Sequence, residues 1–224
     1  VEKSNSSCDA SNDSVEYITE NKDNDSMYSD SLYISNSRSY GKLTYSISGL
    51  PSGLKAYYNK NKTSVKIAGF FNNIERGTTA TLTGVDEKGT TFTKKLVFYV
   101  GSDSELVSYS LPARSELTYK KWDSKDPEQD SSGFNSNMCT AHTFGGVAGG
   151  SGSYDYTITV NGKNVDDNDF NNETFAKAGS YTINIAVTDS NNDKLKTSYS
   201  AVVNLVEGVT ISGSVKDLAG TTAL

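Results

Sequence analysis

The chain of 224 residues contains a single histidine, and this scarcity limits the catalytic chemistry open to it. A serine or cysteine nucleophile is ordinarily activated by a histidine base, so such a site would have to use His142. Cys139 lies three positions earlier in a segment that alternates like a strand, and an odd separation places the two side chains on opposite faces. We therefore expect a structural or exposed His142 and a protein that is not an enzyme.

Cysteines are also scarce, and the two that are present carry no motif. Cys8 and Cys139 lie 131 positions apart and form neither a CxxC pair nor a cluster with metal-ligand spacing. They are either free thiols or one disulfide that ties the N-terminal segment to the second half of the chain. The sequence leaves both alternatives open.

Carboxylates could serve in glycoside hydrolysis or in calcium binding, but the sequence has the residue pattern of neither. Glycoside hydrolysis needs two carboxyl groups about 5–9.5 Å apart, whereas the acids here cluster in turns such as 166–169 and 189–193, which water surrounds. Those turns hold enough oxygen atoms for calcium, but their spacing matches no EF-hand.

The glycine-rich GGVAGGSG (145–152) lacks the Lys-Ser/Thr of a phosphate loop and predicts a flexible loop or a tight bend. No cofactor is expected, and calcium remains an open alternative.

The chain has no excess of positive charge and no long apolar run. The chain has 21 Lys and Arg against 27 Asp and Glu, and the cations are scattered, so we expect no nucleic-acid partner. No apolar run approaches the ~18 residues of a membrane-spanning helix, and residues 1–30 are polar, so neither a membrane span nor a signal peptide is expected. A hydrophobic content of 35% is typical of the thin cores of small β-sandwiches.

What the chain does contain is apolar alternation. From Leu43 onwards apolar side chains recur at every second position, most clearly in SYDYTITV (153–160) and SYTINIAV (180–187), as in half-buried strands. Turn residues separate these runs at Asn161-Gly162, 86–89 and 189–193, which predicts hairpins. No segment keeps a helical period for three turns, so helices should be few.

One hairpin pattern occurs twice. GTTATLTGVDEKGTTFTKKLVFYV begins at Gly77, and GSYTINIAVTDSNNDKLKTSYSAVVNL begins at Gly179, 102 positions later. Each contains a glycine, an alternating strand, an Asp-led turn and a second strand, which predicts an all-β chain with two Ig-like β-sandwich domains in tandem. The predicted bounds are a flexible polar leader or edge strand at 1–30, sandwiches at 31–102 and 103–208, and a further module or disordered tail at 209–224.

The first half resembles the Ig-like, cadherin-like repeats of bacterial surface proteins. The resemblance covers about residues 40–101 and lies in a tyrosine strand, the GLPSGL motif, an Ile-x-Gly strand and a closing hairpin. The matching positions are Gly49, Leu50, Pro51, Gly53, Leu54, Ile67, Gly69, Asp86 and Gly89. This resemblance implies an extracellular or cell-surface location.

The second half is similar to PKD-like and three-tyrosine Ig-like modules of secreted bacterial proteins. GGSGSYDYTITVNGK and FAKAGSYTINIAVTDSNNDK carry this similarity, although the Asp-Gly-Asp-Gly turn of the PKD pattern is missing. Modules of these families serve as spacers, adhesive domains or carbohydrate binders, and the resemblance implies the same range here.

Tyrosines that fall outside the alternation are the remaining candidates for a binding site. Sugars stack on flat aromatic faces, but the alternation assigns Tyr45, Tyr156 and Tyr181, of the 14 tyrosines, to inward faces. Tyr57 and Tyr58 are adjacent, so one ring must point outward, while Tyr119 and Trp122 lie in a polar segment where they either cover a sandwich end or form a binding platform. These four residues are the predicted carbohydrate-binding residues.

The sequence thus predicts a non-catalytic extracellular module of a bacterial cell-surface or secreted multidomain protein. Its predicted partner is a polysaccharide or glycan, bound by a monomeric segment of a larger protein. Two alternatives stay open: a structural spacer without a ligand, and an adhesin module that binds a protein rather than a sugar.

Overall fold

The computed structural model describes residues 14–35, 38–111, 117–119, 144–165 and 179–207, with the backbone alone for 117–119 and 205–207. All regular elements in these residues are strands, and they include no helix that could span a membrane. The strands are β1 (Val15–Asn21), β2 (Tyr28–Leu32), β3 (Thr44–Ser48), β4 (Leu54–Tyr58), β5 (Val65–Gly69), β6 (Glu75–Val85), β7 (Thr91–Gly101), β8 (Val107–Ser110), β9 (Leu117–Tyr119), β10 (Gly145–Ala148), β11 (Tyr154–Val160), β12 (Lys163–Val165), β13 (Gly179–Asp189) and β14 (Asn192–Glu207).

The first sandwich packs a four-stranded sheet, in the order β1-β7-β6-β3, against a three-stranded sheet, in the order β2-β5-β4. Its strands form because β-branched and aromatic residues alternate with polar ones, so that one face of each sheet is apolar. These inward side chains make one continuous core. Its buried members are Ile18, Leu32, Leu54, Val65, Ile67, Phe71, Ala80, Leu82, Leu96, Phe98 and Val100.

The second sandwich has a five-stranded sheet, in the order β12-β11-β13-β14-β9, and a two-stranded sheet formed by β10 and β8. The alternation predicted for 153–160 and 180–187 is confirmed, since Ile158, Ile183 and Ile185 lie inside and Thr157 and Asn184 lie outside. This sandwich has its own core. Its buried members are Leu106, Phe144, Val147, Ile158, Val160, Tyr181, Ile183, Ile185, Val187, Tyr199, Ala201 and Val203. The all-β class with two Ig-like sandwiches in tandem is therefore present.

The repeated hairpin is the closing pair of strands in each sandwich. β6 and β7 pair antiparallel in the first, and β13 and β14 pair antiparallel in the second. The last strand of each sandwich also pairs in parallel with an early strand of the same sandwich, β7 with β1 and β14 with β9. The internal repeat thus extends from the hairpin to the pairing at the edge of the sheet.

The Asp-led turns of these hairpins hold buried carboxylates. Asp86 is 6% exposed and accepts N–H bonds from Tyr40 (3.1 Å), Lys88 (2.9 Å) and Thr90 (2.8 Å). Asp189 is 2% exposed and accepts them from Ser151 (2.6 Å) and Asn191 (2.9 Å). Each carboxylate therefore closes its own turn and also binds a loop far away in the chain.

The predicted hairpin turn at Asn161-Gly162 is confirmed as the two-residue connection between β11 and β12. Both residues have positive φ, 50° for Asn161 and 79° for Gly162, as a type I′ turn requires. The Asn161 side chain also accepts the N–H of Thr182 at 2.8 Å, which ties the turn to β13.

The GLPSGL motif owes its glycines to close backbone contact. Gly53 has φ +98°, and a Cβ on it would lie 1.9 Å from the carbonyl oxygen of Phe70. Pro51 and Leu54 are buried beside it. The motif therefore acts as a corner between β3 and β4, where only glycine allows the chain to pass β5 so closely.

The first strand lies within the predicted leader. β1 is an edge strand that pairs with β7 from Val15↔Lys95 to Asn21↔Gly101, and its Ile18 enters the first core. β2 begins at Tyr28, two residues before the predicted end of the leader. The division of the chain at 1–30, 31–102, 103–208 and 209–224 stays a prediction. The predictions for Cys8, Cys139 and His142 lie outside the described residues.

The buried carboxylates predict acid sensitivity. The N–H of Ser151 is the main cause that lowers the pKa of Asp189 below its ordinary value, as the N–H of Tyr40 does for the pKa of Asp86. A carboxylate with a lowered folded-state pKa stabilises the fold above the unfolded-state pKa of about 4, and this contribution is lost as the pH falls through the folded-state pKa. We expect Asp189→Asn to lower the thermal transition temperature near pH 7 and to flatten its decline in acid, measured by circular dichroism.

Asp193→Asn is the matched control for this prediction. Asp193 is exposed on the same hairpin, and none of the hydrogen bonds of Asp189 involves it. This variant should keep the wild-type transition temperature at every pH. A constant difference between Asp189→Asn and wild type from neutral to acid pH would contradict the linkage.

Candidate functional site

Tyr57 lies on the outer face of the three-stranded sheet. β4 places it directly opposite Lys66 of β5, which in turn lies opposite Ser31 of β2. The side chain is 56% exposed, and within the described residues it makes no hydrogen bond, ion pair or ring contact. A free tyrosine ring flanked by an ammonium group and a hydroxyl group can accept a flat polar ligand.

Tyr58 points the other way and has a structural role. Its hydroxyl accepts the N–H of Ile47 at 3.1 Å, and the N–H of Tyr45 is bound by the carbonyl of Lys62 at 2.8 Å. Both amides belong to β3, which is an edge strand of the opposite sheet. Tyr58 and the hairpin after it therefore cap an edge that would otherwise present free N–H groups.

The hairpin tip at residues 59–64 is held by Asn59. Its side chain binds the hydroxyl of Thr63 (2.9 Å) and the N–H of Ser64 (3.2 Å), and its carbonyl accepts the N–H of Lys62 at 2.9 Å. Lys62 has φ +55°, and its ammonium lies 6.0 Å from the centre of the Tyr58 ring. The tip is thus part of the cap on β3, and of the two adjacent tyrosines Tyr57 is the one whose ring faces solvent without a described contact.

The other two predicted residues are not brought to this surface by any described contact. Tyr119 ends β9, which pairs in parallel with β14 in the second sandwich, and only its backbone is described. Trp122 lies outside the described residues. The assignment of carbohydrate binding to Tyr57, Tyr58, Tyr119 and Trp122 stays a prediction.

Three tyrosines meet where the two sandwiches join. Tyr109 of β8 stacks on Tyr17 of β1, with ring centres 5.2 Å apart and planes at 2°, and on Tyr99 of β7, at 4.4 Å and 20°. Burial raises the pKa of Tyr99 and of Tyr109. The first strand of the second sandwich is thereby fixed against the outer pair of strands of the first.

Hydrogen bonds reinforce this junction. The Asn21 amide donates to the Asp103 carboxylate (2.7 Å) and to the Gly150 carbonyl (3.0 Å), so it joins β1 to the linker and to the turn after β10. The N–H of Asp103 donates to Asp23 at 3.1 Å, and the N–H of Gly150 donates to Ser102 at 2.8 Å. A bond from Lys22, followed by the Asp103 N–H, lowers the pKa of the Asp23 carboxyl.

The glycines of GGVAGGSG allow two backbones to touch at this point. A Cβ on Gly149 would lie 2.4 Å from the carbonyl oxygen of Glu105, and one on Gly101 would lie 2.5 Å from that of Ala148. Gly149 and Gly150 have φ of +94° and +59°. Of the two expectations for this segment, a tight bend is the one observed.

Two adjoining cavities of about 560 and 490 Å³ open beside the junction. They share Thr19, Val147, Gly152 and Tyr154, and we call the combined space the junction groove. The larger cavity is also lined by acidic and amide residues, which are Glu20, Asn21, Asn24 and Asp103. The smaller cavity is also lined by Tyr109 and Tyr156.

The junction groove was not predicted from the sequence. Its one local signal was the glycine-rich segment at 145–152 placed directly before Tyr154 and Tyr156. Glu20, Asn21 and Asn24 could not be connected with it, because they lie more than 120 positions earlier and reach it only through the pairing of β1 with β7.

The described residues include no group of three or more His, Cys, Asp or Glu side chains placed to hold a metal ion. Of the two turns that hold enough oxygen atoms for calcium, 166–169 lies outside the described residues. In the other, the Asp189 carboxylate is already bound by backbone N–H groups. It closes a turn and is not directed at a ligand.

No family model and no curated protein matches the chain. Among solved structures, it is similar to protocadherin gamma B7 extracellular cadherin domains 1–4, with 12% identity over 87% of this chain and 50% of that chain and a TM-score of 0.28. The human desmocollin-1 ectodomain gives 13% identity over 87% and 39%, with a TM-score of 0.27. The Ig1-2 module of Drosophila receptor protein tyrosine phosphatase DLAR gives 10% identity over 75% and 84%, with a TM-score of 0.25. The chain spans half or less of the two cadherin chains, and likenesses at these TM-scores carry no functional argument.

Proposed function

We propose that the chain is a non-catalytic, extracellular pair of modules from a bacterial surface or secreted protein, and that it binds carbohydrate. The observation that carries the proposal is Tyr57, an aromatic ring exposed on the outer face of the three-stranded sheet, on its edge strand β4, with no described contact partner. The GLPSGL resemblance supports the surface location. Tandem sandwiches suit this role because they present a sheet face on a rigid scaffold.

The chemistry around Tyr57 suits a sugar ring. The C–H face of a pyranose packs on a flat aromatic ring, while its hydroxyl groups need hydrogen-bonding partners at the ring's edge. Lys66 lies directly opposite Tyr57 in the sheet, and Lys55 precedes it by two positions on the same face. Lys66 is one strand spacing away, about 5 Å, and Lys55 is two residues along the strand, about 7 Å, so the long side chains of both can reach a ligand on the ring and donate to its hydroxyl or carboxylate oxygens.

This function predicts that Tyr57→Ala weakens binding to a polysaccharide identified in a panel by affinity electrophoresis and measured by calorimetry. The expected loss is roughly two- to tenfold, which corresponds to the ~0.5–1.5 kcal/mol of an aromatic stacking contact. Trp122→Ala in the same assay tests the other predicted platform.

Tyr40→Ala is the matched control, because Tyr40 is also 56% exposed but lies beside the Asp86 turn. It should bind like the wild type. If no polysaccharide in the panel binds, carbohydrate binding is wrong.

A structural spacer is the second candidate function, and the junction favours it. A spacer must keep its modules in a fixed orientation, and the stacking on Tyr109 together with the bonds of Asn21 joins the two sandwiches directly. This candidate is compatible with a bound sugar and does not require one.

The junction predicts a coupled unfolding of the two sandwiches. Tyr109→Ala removes two stacking contacts, worth ~0.5–1.5 kcal/mol each, and should split a single calorimetric transition into two or lower its midpoint. Solution scattering should then show a wider spread of orientations between the sandwiches.

Tyr109→Phe keeps the rings stacked and is the control, expected to match the wild type in both measurements. A Tyr109→Ala chain with unchanged scattering and an unchanged transition would show that the stacking does not hold the junction.

A further inference from the structure

The junction groove has the dimensions of a ligand site. Its two parts, of about 560 and 490 Å³, each fall within the ~300–1,000 Å³ range of small-molecule sites. Gly152 lies on the wall of both parts, and no atom lies within 4 Å of where its Cβ would be, so this wall is open to an entering group.

The lining combines aromatic rings with hydrogen-bonding groups. Tyr154 and Tyr156 lie edge to face, with ring centres 6.4 Å apart, on the first strand after the glycine-rich bend. The Tyr154 hydroxyl is fixed by a 2.6 Å bond to the Gly149 carbonyl, which leaves the ring with a set orientation. Such rings, together with hydroxyl, amide and carboxylate groups, match the alternating apolar and polar faces of a saccharide.

Asn21 and Asp103 supply the polar groups at the other end of the groove. The Asn21 amide donates to the Asp103 carboxylate and to the Gly150 carbonyl, so both side chains are held in position. The Glu20 carboxylate takes no part, because Glu20 lies on the same face of β1 as the buried Ile18, opposite Asn21. A carboxylate that is already held in position loses little freedom when a ligand hydroxyl donates to it.

The charge of the lining selects among saccharides. The described residues on its walls include no Lys or Arg, and the carboxylate that faces the groove is that of Asp103. A uronic acid, sulfate or phosphate group would meet like charge there and find no cation to bind it. An uncharged sugar chain avoids this repulsion and can donate a hydroxyl group to Asp103.

We propose that the junction groove is a second carbohydrate site that binds an uncharged oligosaccharide, separate from Tyr57. This inference rests on the proposed carbohydrate-binding function and adds a location and a ligand class to it. The site is incomplete in either sandwich alone, because β1 and the linker supply Asn21 and Asp103 and β11 supplies the rings.

The experiment titrates the full chain by calorimetry with hexasaccharides of cellulose, xylan, mannan and chitin, and with an acidic hexagalacturonate. Thr19→Trp places a bulky side chain from an exposed position into both parts of the groove. It should abolish binding of the uncharged ligand. Asp103→Asn keeps the shape, removes the charge and should weaken binding roughly three- to tenfold.

Thr93→Trp is the matched control, since Thr93 is an exposed strand residue of β7 that does not line the groove. It should bind like the wild type, and all three variants should keep the wild-type circular dichroism spectrum. If Thr19→Trp fails to fold, the binding measured with Asp103→Asn tests the site.

The outcomes separate the two proposals. Binding of an uncharged hexasaccharide that survives Thr19→Trp and Asp103→Asn would overturn the groove site and leave carbohydrate binding intact. If hexagalacturonate is the one hexasaccharide that binds, the groove site is likewise wrong and carbohydrate binding is retained. If none of these ligands binds, and no polysaccharide in the wider panel does, both proposals are wrong.

Discussion

The junction depends on a contact between two backbones, that of Gly101–Ser102 at the end of the first sandwich and that of Gly149–Gly150 after β10. The chains approach so closely that a Cβ on Gly101 or Gly149 would collide with a main-chain atom, and the N–H of Gly150 donates to Ser102 across the gap. Once these segments touch, Tyr109 reaches Tyr17 and Tyr99, and Asn21 reaches Asp103 and Gly150. The groove is the space that this arrangement leaves beside the contact.

The two sandwiches stabilise the turn of their closing hairpin in the same way. In each, an aspartate at the closing turn is buried and accepts main-chain N–H groups, one of them from a distant loop. In the first sandwich that loop is the approach to β3, and in the second it is the bend that forms the junction. The same carboxylate therefore has a local role in the first sandwich, while in the second it also positions Ser151 on the wall of the groove. A repeated structural feature has become part of the boundary between modules.

The strands were predictable from sequence because alternation is a local property: Ile158 and Ile185 face inward, and Thr157 and Asn184 face outward, as the period of two requires. The turn at Asn161-Gly162 was predictable for the same reason. Pairing between distant strands was not. Nothing local in Val15–Asn21 indicates that it lies beside β7, and the surroundings of Glu20 and Asn21 follow from that pairing alone. Tyr58 likewise could not be assigned to the edge of β3 before its contact with Ile47 was known.

The two candidate surfaces differ most in charge, and under the two proposals this difference would give them different ligands. Tyr57 is exposed between Lys55 and Lys66, in a setting that favours an acidic saccharide, whereas the described walls of the junction groove carry no Lys or Arg. The net charge of −6 does not reveal this separation, because it sums over both surfaces. A polymer that alternates neutral and acidic sugars could engage both at once, and the fixed junction would then matter for binding as well as for shape. Two weak sites held at a constant separation bind one chain far more tightly than either does alone, provided that the chain spans them.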